Sequence, residues 1–248
     1  MSTWLLWLFA LEIIGLIAFP ISYRIFRFFP DKGWTFSKPL GLLLITYGTW
    51  ILGYSHLIAN SRWSILLVLL ALALVSCAAL KRDFSLMKNF LKMQWRWMLA
   101  AEILFIVVFA SWALFRAHIP EIRNTEQPMD FMFLNSLVVS PYFPPIDAWF
   151  SGQPISYYYF GYLMVAVNAL LTGTDTPIAF NLGLATTASL AMLAAYGVVR
   201  NLVLMSDGSK HAATIAGFTA SFLIVLASNL VGFLELFRAF GLGNNNFW

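Results

Sequence analysis

The feature that most restricts this chain is a series of long apolar stretches separated by shorter polar ones. The hydrocarbon core of a bilayer, about 30 Å thick, takes roughly 20 apolar residues of helix to cross, because no water is present there to satisfy backbone N–H and C=O groups. Residues 4–22, 39–59, 64–80, 97–115, 156–171, 178–202 and 212–234 meet that requirement. With 60% hydrophobic and 10% charged residues, the chain has too little polar surface to wrap a water-soluble core. The expected fold is all-α, a polytopic transmembrane helical bundle of about seven spans.

The first stretch reads as a retained span rather than a cleaved signal. No basic segment precedes it, and Ile21, Arg24 and Phe26 follow where small cleavage-site residues belong. The single cysteine, Cys77, lies inside an apolar stretch and reads as a structural thiol.

Basic residues between spans report sidedness, since loops on the cytoplasmic face are enriched in Lys and Arg. Arg24, Arg27, Lys32 and Lys38 separate the first two stretches, and Lys81, Arg82, Lys88, Lys92 and Arg96 separate the third from the fourth. Both loops are expected in the cytoplasm, with Arg62, Arg116, Arg123, Arg200 and Lys210 on the other face and the N-terminus outside. The chain would then be a multi-pass protein of the plasma membrane. The cations form no single stripe with interleaved aromatics, so the net charge of +4 does not point to nucleic acid.

Residues 116–155 differ from every other connection. They are too many for an unstructured loop, which rarely exceeds about 12–15 residues, and they carry Glu121, Glu126, Asp130 and Asp147 among Phe, Pro, Met and Tyr. Asn124 or Thr125 is placed to cap a helix whose first turn holds Glu126, Gln127 and Pro128, and Pro141 stops it. Glu126 and Asp130 would share a face of that helix, lying along the membrane surface. Pro141, Pro144, Pro145, Gly152 and Pro154 make a stiff connector around Asp147. Tyr157, Tyr158 and Tyr159 are expected to open the fifth span, with Tyr158 and Tyr162 on one face or serving in an interfacial aromatic belt.

The order Pro128-Met129-Asp130, Phe143-Pro144-Pro145, Asp147, Trp149, Ser151-Gly152 and Tyr157-Tyr158-Tyr159-Phe160-Gly161 resembles the YYY-motif family of polytopic membrane proteins, a domain family of unknown function placed near the GT-C glycosyltransferases. The resemblance implies a GT-C-like bundle whose large extracytoplasmic loop holds short interfacial helices and the catalytic acid. Residues 1–96 would then be three N-terminal helices with basic cytoplasmic loops, and 97–248 the start of the core. It further implies sugar transfer from a polyprenyl-phosphate donor at the extracytoplasmic face, within the lipid membrane, to an acceptor that the sequence does not name. Asp130 is the first candidate for the base and Asp147 the second, ahead of Glu126 and Glu121. Arg116 and Arg123 are candidates for phosphate, and Trp149, Tyr157, Tyr158, Tyr159 and Tyr162 for substrate contact. Family members carry Asp-Pro-Trp where this chain has Asp147-Ala148-Trp149, and they continue through further helices, so the chain reads as an N-terminal fragment.

Two other classes compete. Glu12 and Glu102 fall inside apolar stretches, as in transporters, and Glu12 in particular needs a polar partner within the bundle. A noncatalytic scaffold would use the Pro-rich loop for docking. His56, His118 and His211 have no metal-binding spacing, so no metal ligand is assigned, and a divalent cofactor at the leaving phosphate stays open.

Overall fold

The computed structural model describes residues 2–150, 152–227 and 230–242. Regular structure there is helical: α1 (Thr3–Ile25), a 3-10 turn (Trp34–Phe36), α2 (Ser37–Tyr54), α3 (Arg62–His118), α4 (Gln127–Val139), α5 (Phe160–Thr172), α6 (Thr176–Met205), α7 (Lys210–Phe222), a π turn (Leu223–Ala227) and α8 (Leu230–Ala239). One antiparallel bridge joins Ile146 to Pro154. Among the described residues, α1, α3 and α6 are long and apolar enough to cross a membrane. Rows of large apolar side chains, such as Leu67, Leu70 and Leu74 on α3, are exposed on the outside of the bundle, where hydrocarbon rather than water must cover them.

The expected third and fourth spans are joined in the single 57-residue α3, whose interior holds one non-helical residue, Asp83 (φ −119°, ψ 16°). A straight helix of that length would keep its ends about 85 Å apart. They meet the same loop instead. Asn60, just before α3, donates its backbone N–H to Pro141 O at 2.7 Å and its side-chain amide to Leu137 O at 2.8 Å. At the other end Arg116 Nε donates to Asn181 Oδ1 at 2.7 Å, near Thr176, whose hydroxyl donates to Asn135 of α4. The helix therefore folds back at Asp83, and Arg24 at the end of α1 pairs with that residue at 2.8 Å. Ile65 and Val68 from the first limb share one core with Phe105 and Phe109 from the second, and with Trp7, Leu11 and Ile14 of α1.

The buried residues of α1, Trp7, Leu11, Ile14 and Ala18, recur at helical spacing and face the core. Gly41 of α2 lets that helix close on α1, since a Cβ there would lie 2.8 Å from the Ile14 carbonyl oxygen. The expected fifth span is the 13-residue α5, about 20 Å long and so short of the hydrocarbon thickness.

Sidedness departs from the expectation at two places. The turn after α5 has no basic residue to report its side, and seven spans would put it opposite the long loop, but Thr176 is bonded to Asn135 within that loop. Arg200 was expected beside that loop, yet its neighbour Asn201 accepts from the Asp31 backbone N–H at 3.1 Å in the first basic segment. The reason is α5: a short helix that returns toward the end it came from reverses the sidedness of everything after it. The basic segments at 24–38, at the α3 fold-back and at the end of α6 thus lie at one end of the bundle. The seventh stretch is broken into α7, the π turn and α8, with residues 228 and 229 between them outside the described residues.

Candidate functional site

The candidate site lies where α4, α5 and α6 meet. Helix α4 begins at Gln127, one residue later than the expected first turn, with Pro128 where a missing N–H costs nothing. Neither Asn124 nor Thr125 caps it. Glu126 occupies the cap position without a side-chain bond, and Thr125 stands in the left-handed region at φ 41°. The helix ends at Val139 because Ser140, preceding Pro141, is driven to extended backbone. Leu134 and Leu137 enter the core, and Phe131 packs edge-on to Phe180 of α6.

Asp130, in the first turn of α4, is half-buried and accepts a hydrogen bond from the Tyr162 hydroxyl at 2.5 Å. The two line a groove of about 220 Å³ with Leu134, Phe180, Gly183 and Thr187. An ionised carboxylate is acceptor-only, so the phenol fills one of its lone-pair sites and leaves the others to whatever enters. Phe133 stacks on Tyr157 at 4.9 Å and touches Tyr162, so an aromatic cluster fixes the tyrosine. Glu126, one turn before Asp130, is exposed.

The tyrosine run does not open α5, which starts at Phe160 with Tyr159 in the cap position. Its three rings have different surroundings, although those of Tyr157 and Tyr158 meet edge-on at 5.2 Å. Tyr157 stacks on Phe133, Tyr158 is 86% exposed, and the Tyr159 hydroxyl accepts from Trp50 Nε1 at 2.8 Å. Tyr158 and Tyr162 therefore do not share a helix face.

The other expected residues are not gathered around Asp130. Asp147 Oδ1 accepts from the backbone N–H of Trp149 at 2.8 Å and of Phe150 at 2.9 Å, so this carboxylate holds its own turn closed. Trp149 stands out from that turn, exposed. Glu121 pairs with Arg123 at 3.2 Å on the surface. Arg116, besides its bond to Asn181, donates to Glu121 O at 3.2 Å and lines a separate groove of about 690 Å³ with Trp4, Ala113, Pro177, Ile178 and Leu182. At about 100° per residue, Ile178, Asn181 and Leu182 point to one side of α6, and Phe180, Gly183 and Thr187 to the other. Helix α6 thus separates the two grooves, and Arg116 does not share a site with Asp130. Among the described residues, no group of three His, Cys, Asp or Glu is arranged to hold a metal ion.

One charged cluster was missed in the sequence. Lys38, 4% exposed in the first turn of α2, pairs with Glu12 of α1 at 3.1 Å and with Glu102 of α3, and its ammonium lies 4.9 Å from the centre of the Phe105 ring. Glu12 signalled the need for a partner. In the sequence Lys38 stands among the cations between the first two apolar stretches, and its position there gives no hint that helix packing draws it inward.

Comparison with known proteins gives one family: residues 44–246 match the model described as an uncharacterized membrane protein, DUF2298. No curated protein and no solved structure matches the chain. That match covers well over half of the sequence, and the apolar, lipid-covered helices described above agree with it: the chain belongs to the DUF2298 family of membrane proteins.

Proposed function

We propose that this chain serves a membrane-embedded glycosyltransferase activity in which Asp130 is the general base that activates the acceptor. The observation that carries the reading is the half-buried Asp130 carboxylate, held by Tyr162 in a groove between three helices at the loop-bearing end of the bundle. In the reaction, Asp130 takes the proton of an acceptor hydroxyl. The acceptor oxygen bonds to the anomeric carbon of the sugar, the bond from that carbon to the phosphate oxygen breaks, and the polyprenyl phosphate leaves with the electron pair. Tyr162 keeps the carboxylate aimed.

Arg116 and its apolar groove suit a lipid chain ending in phosphate. Their position across α6 makes them a docking place for lipid rather than a partner of the reacting bond. What supports an extracytoplasmic location is the gathering of basic segments at the opposite end, which the positive-inside rule puts in the cytoplasm of a cell whose plasma membrane holds the protein. Seven crossings is not the count that this arrangement favours: the limbs of α3 make two and α5 makes none.

The test is transfer of labelled sugar from polyprenyl-phosphate donors in liposomes that hold the protein. Asp130→Asn is expected to lower transfer at least about tenfold, equivalent to about 1.4 kcal/mol of barrier, while Asp147→Asn leaves it unchanged. Equal rates for wild type and Asp130→Asn would remove the reading.

A transporter is the second reading, and the Glu12–Lys38–Glu102 cluster favours it, because ionisable groups inside a bundle mark ion paths. Ion or proton flux in the same liposomes, abolished by Glu12→Gln without loss of the folded protein, would decide for it over transfer.

A further inference from the structure

At the end of the bundle away from Asp130, the last turn of α1, the segment after it and the fold-back of α3 border an open cavity of about 630 Å³, lined by Tyr23, Arg24, Arg27, Lys32, Asp83 and Leu86. Three cations face it and one carboxylate answers them. Arg24 uses that carboxylate, Asp83, at 2.8 Å. The Arg27 guanidinium lies 4.7 Å from the centre of the Phe28 ring, and Lys32 Nζ donates to the Arg27 carbonyl oxygen at 2.5 Å. Neither has an ion-pair partner among the described residues.

Lys32 is not on a loose tether. Its backbone holds a left-handed conformation (φ 51°), and the residue before it, Asp31, is 1% exposed. The Asp31 carboxylate accepts from the N–H of Gly33 at 2.9 Å and from the hydroxyl of Thr35 at 2.7 Å, while its own N–H donates to Asn201. That acid is thereby committed to the backbone turn, which presents the lysine to the cavity. Around the cations stand exposed apolar side chains: Ile25 and Leu86 in the cavity wall, and Phe28 beside Arg27.

A basic floor with an apolar rim, at the level where a bundle meets the headgroups, matches one kind of occupant. We infer that this cavity binds the headgroup of an anionic phospholipid, with its phosphate on Arg27 and Lys32 and its acyl chains along Ile25, Phe28 and Leu86. Charge complementarity selects the anionic lipid over a zwitterionic one, and the rim selects a lipid over a free phosphate ion.

The test is native mass spectrometry of the full chain in detergent, titrated with phosphatidylglycerol or phosphatidylcholine. Wild type is expected to bind phosphatidylglycerol at least about tenfold more tightly, a difference of about 1.4 kcal/mol. Arg27→Gln with Lys32→Gln should erase that preference, Lys32→Arg should keep it, and Arg96→Gln, a cation outside the cavity, should also keep it. Equal affinity for the two lipids in wild type, or a preference surviving in the double variant, overturns the inference. Millimolar inorganic phosphate is expected to leave the lipid bound. If it displaces the lipid, the site is one for phosphate ions and the lipid assignment fails. Should the double variant not fold, Lys32→Glu alone carries the same expectation.

Discussion

Asp130 and Glu102 are both carboxylates inside the helical bundle, and their surroundings could hardly differ more. Glu102 meets a buried ammonium that it shares with Glu12. Asp130 has a single phenol and an open groove. In a low-dielectric setting an ionised group is tolerated when a counter-charge is built in, and removing that charge leaves a bare ion whose desolvation nothing offsets. The first arrangement is closed and spends its charges on holding α1, α2 and α3 together. The second keeps acceptor sites free, which is what a group that must receive a proton requires.

The largest expected effect probes the closed site. Lys38→Met should destabilise the protein by about 3–5 kcal/mol, because two carboxylates lose the one cation they pair with among the described residues. Thermal unfolding in detergent, followed by circular dichroism, measures it. Adding Glu12→Gln and Glu102→Gln to Lys38→Met should recover most of that loss, and no recovery would mean that the cluster matters through shape rather than charge. Next, Gly41→Leu should cost about 1–3 kcal/mol by forcing apart the two helices that bring Glu12 to Lys38, read in the same assay.

The open site should respond in the opposite sense. Asp130→Asn is expected to cost less than about 1 kcal/mol of stability, since the amide oxygen still accepts from Tyr162, while transfer falls at least about tenfold. A large stability loss would place Asp130 with Glu102 as a structural acid and break the contrast. The smallest effect belongs to Asp147→Ala, about 1 kcal/mol or less, confined to its own turn and detectable as faster amide exchange at Trp149 and Phe150 with transfer unchanged.

The two regions were also unequally legible in the sequence. Apolar stretches marked where α1, α2, both limbs of α3 and α6 lie, because bilayer thickness imposes itself directly on sequence. The basic block at residues 81–96 has the composition of a loop between spans and is mostly helix. Lys and Arg are good helix formers whose long side chains carry their charge to water, so that block reported sidedness but not a break. Asp83 supplies the break, and a single acid among basic residues gives no advance notice of it. The Pro128 and Pro141 limits on α4 were readable, since proline acts locally. The fate of the tyrosine run was not: Phe133 and Trp50, distant in sequence, hold Tyr157 and Tyr159 outside the helix. Asp147 beside Trp149 looks the same on paper whether it awaits a substrate or closes its own turn. Lys38 fell to the same blindness, because the register of α1 against α2 decides whether it faces water or two glutamates.

That register has a further consequence for how the chain divides. Similarity to the family begins at residue 44, inside α2, so Glu102 lies within the matched portion while Glu12 and Lys38 precede it. The edge of the similarity is not a seam in the molecule. The leading helix and the first turn of α2 deliver a counter-ion, in cis, to a carboxylate that the shared portion carries. A polypeptide started at residue 44 would fold α3 with Glu102 stripped of that ammonium, and the acid would then have to take up a proton or face water.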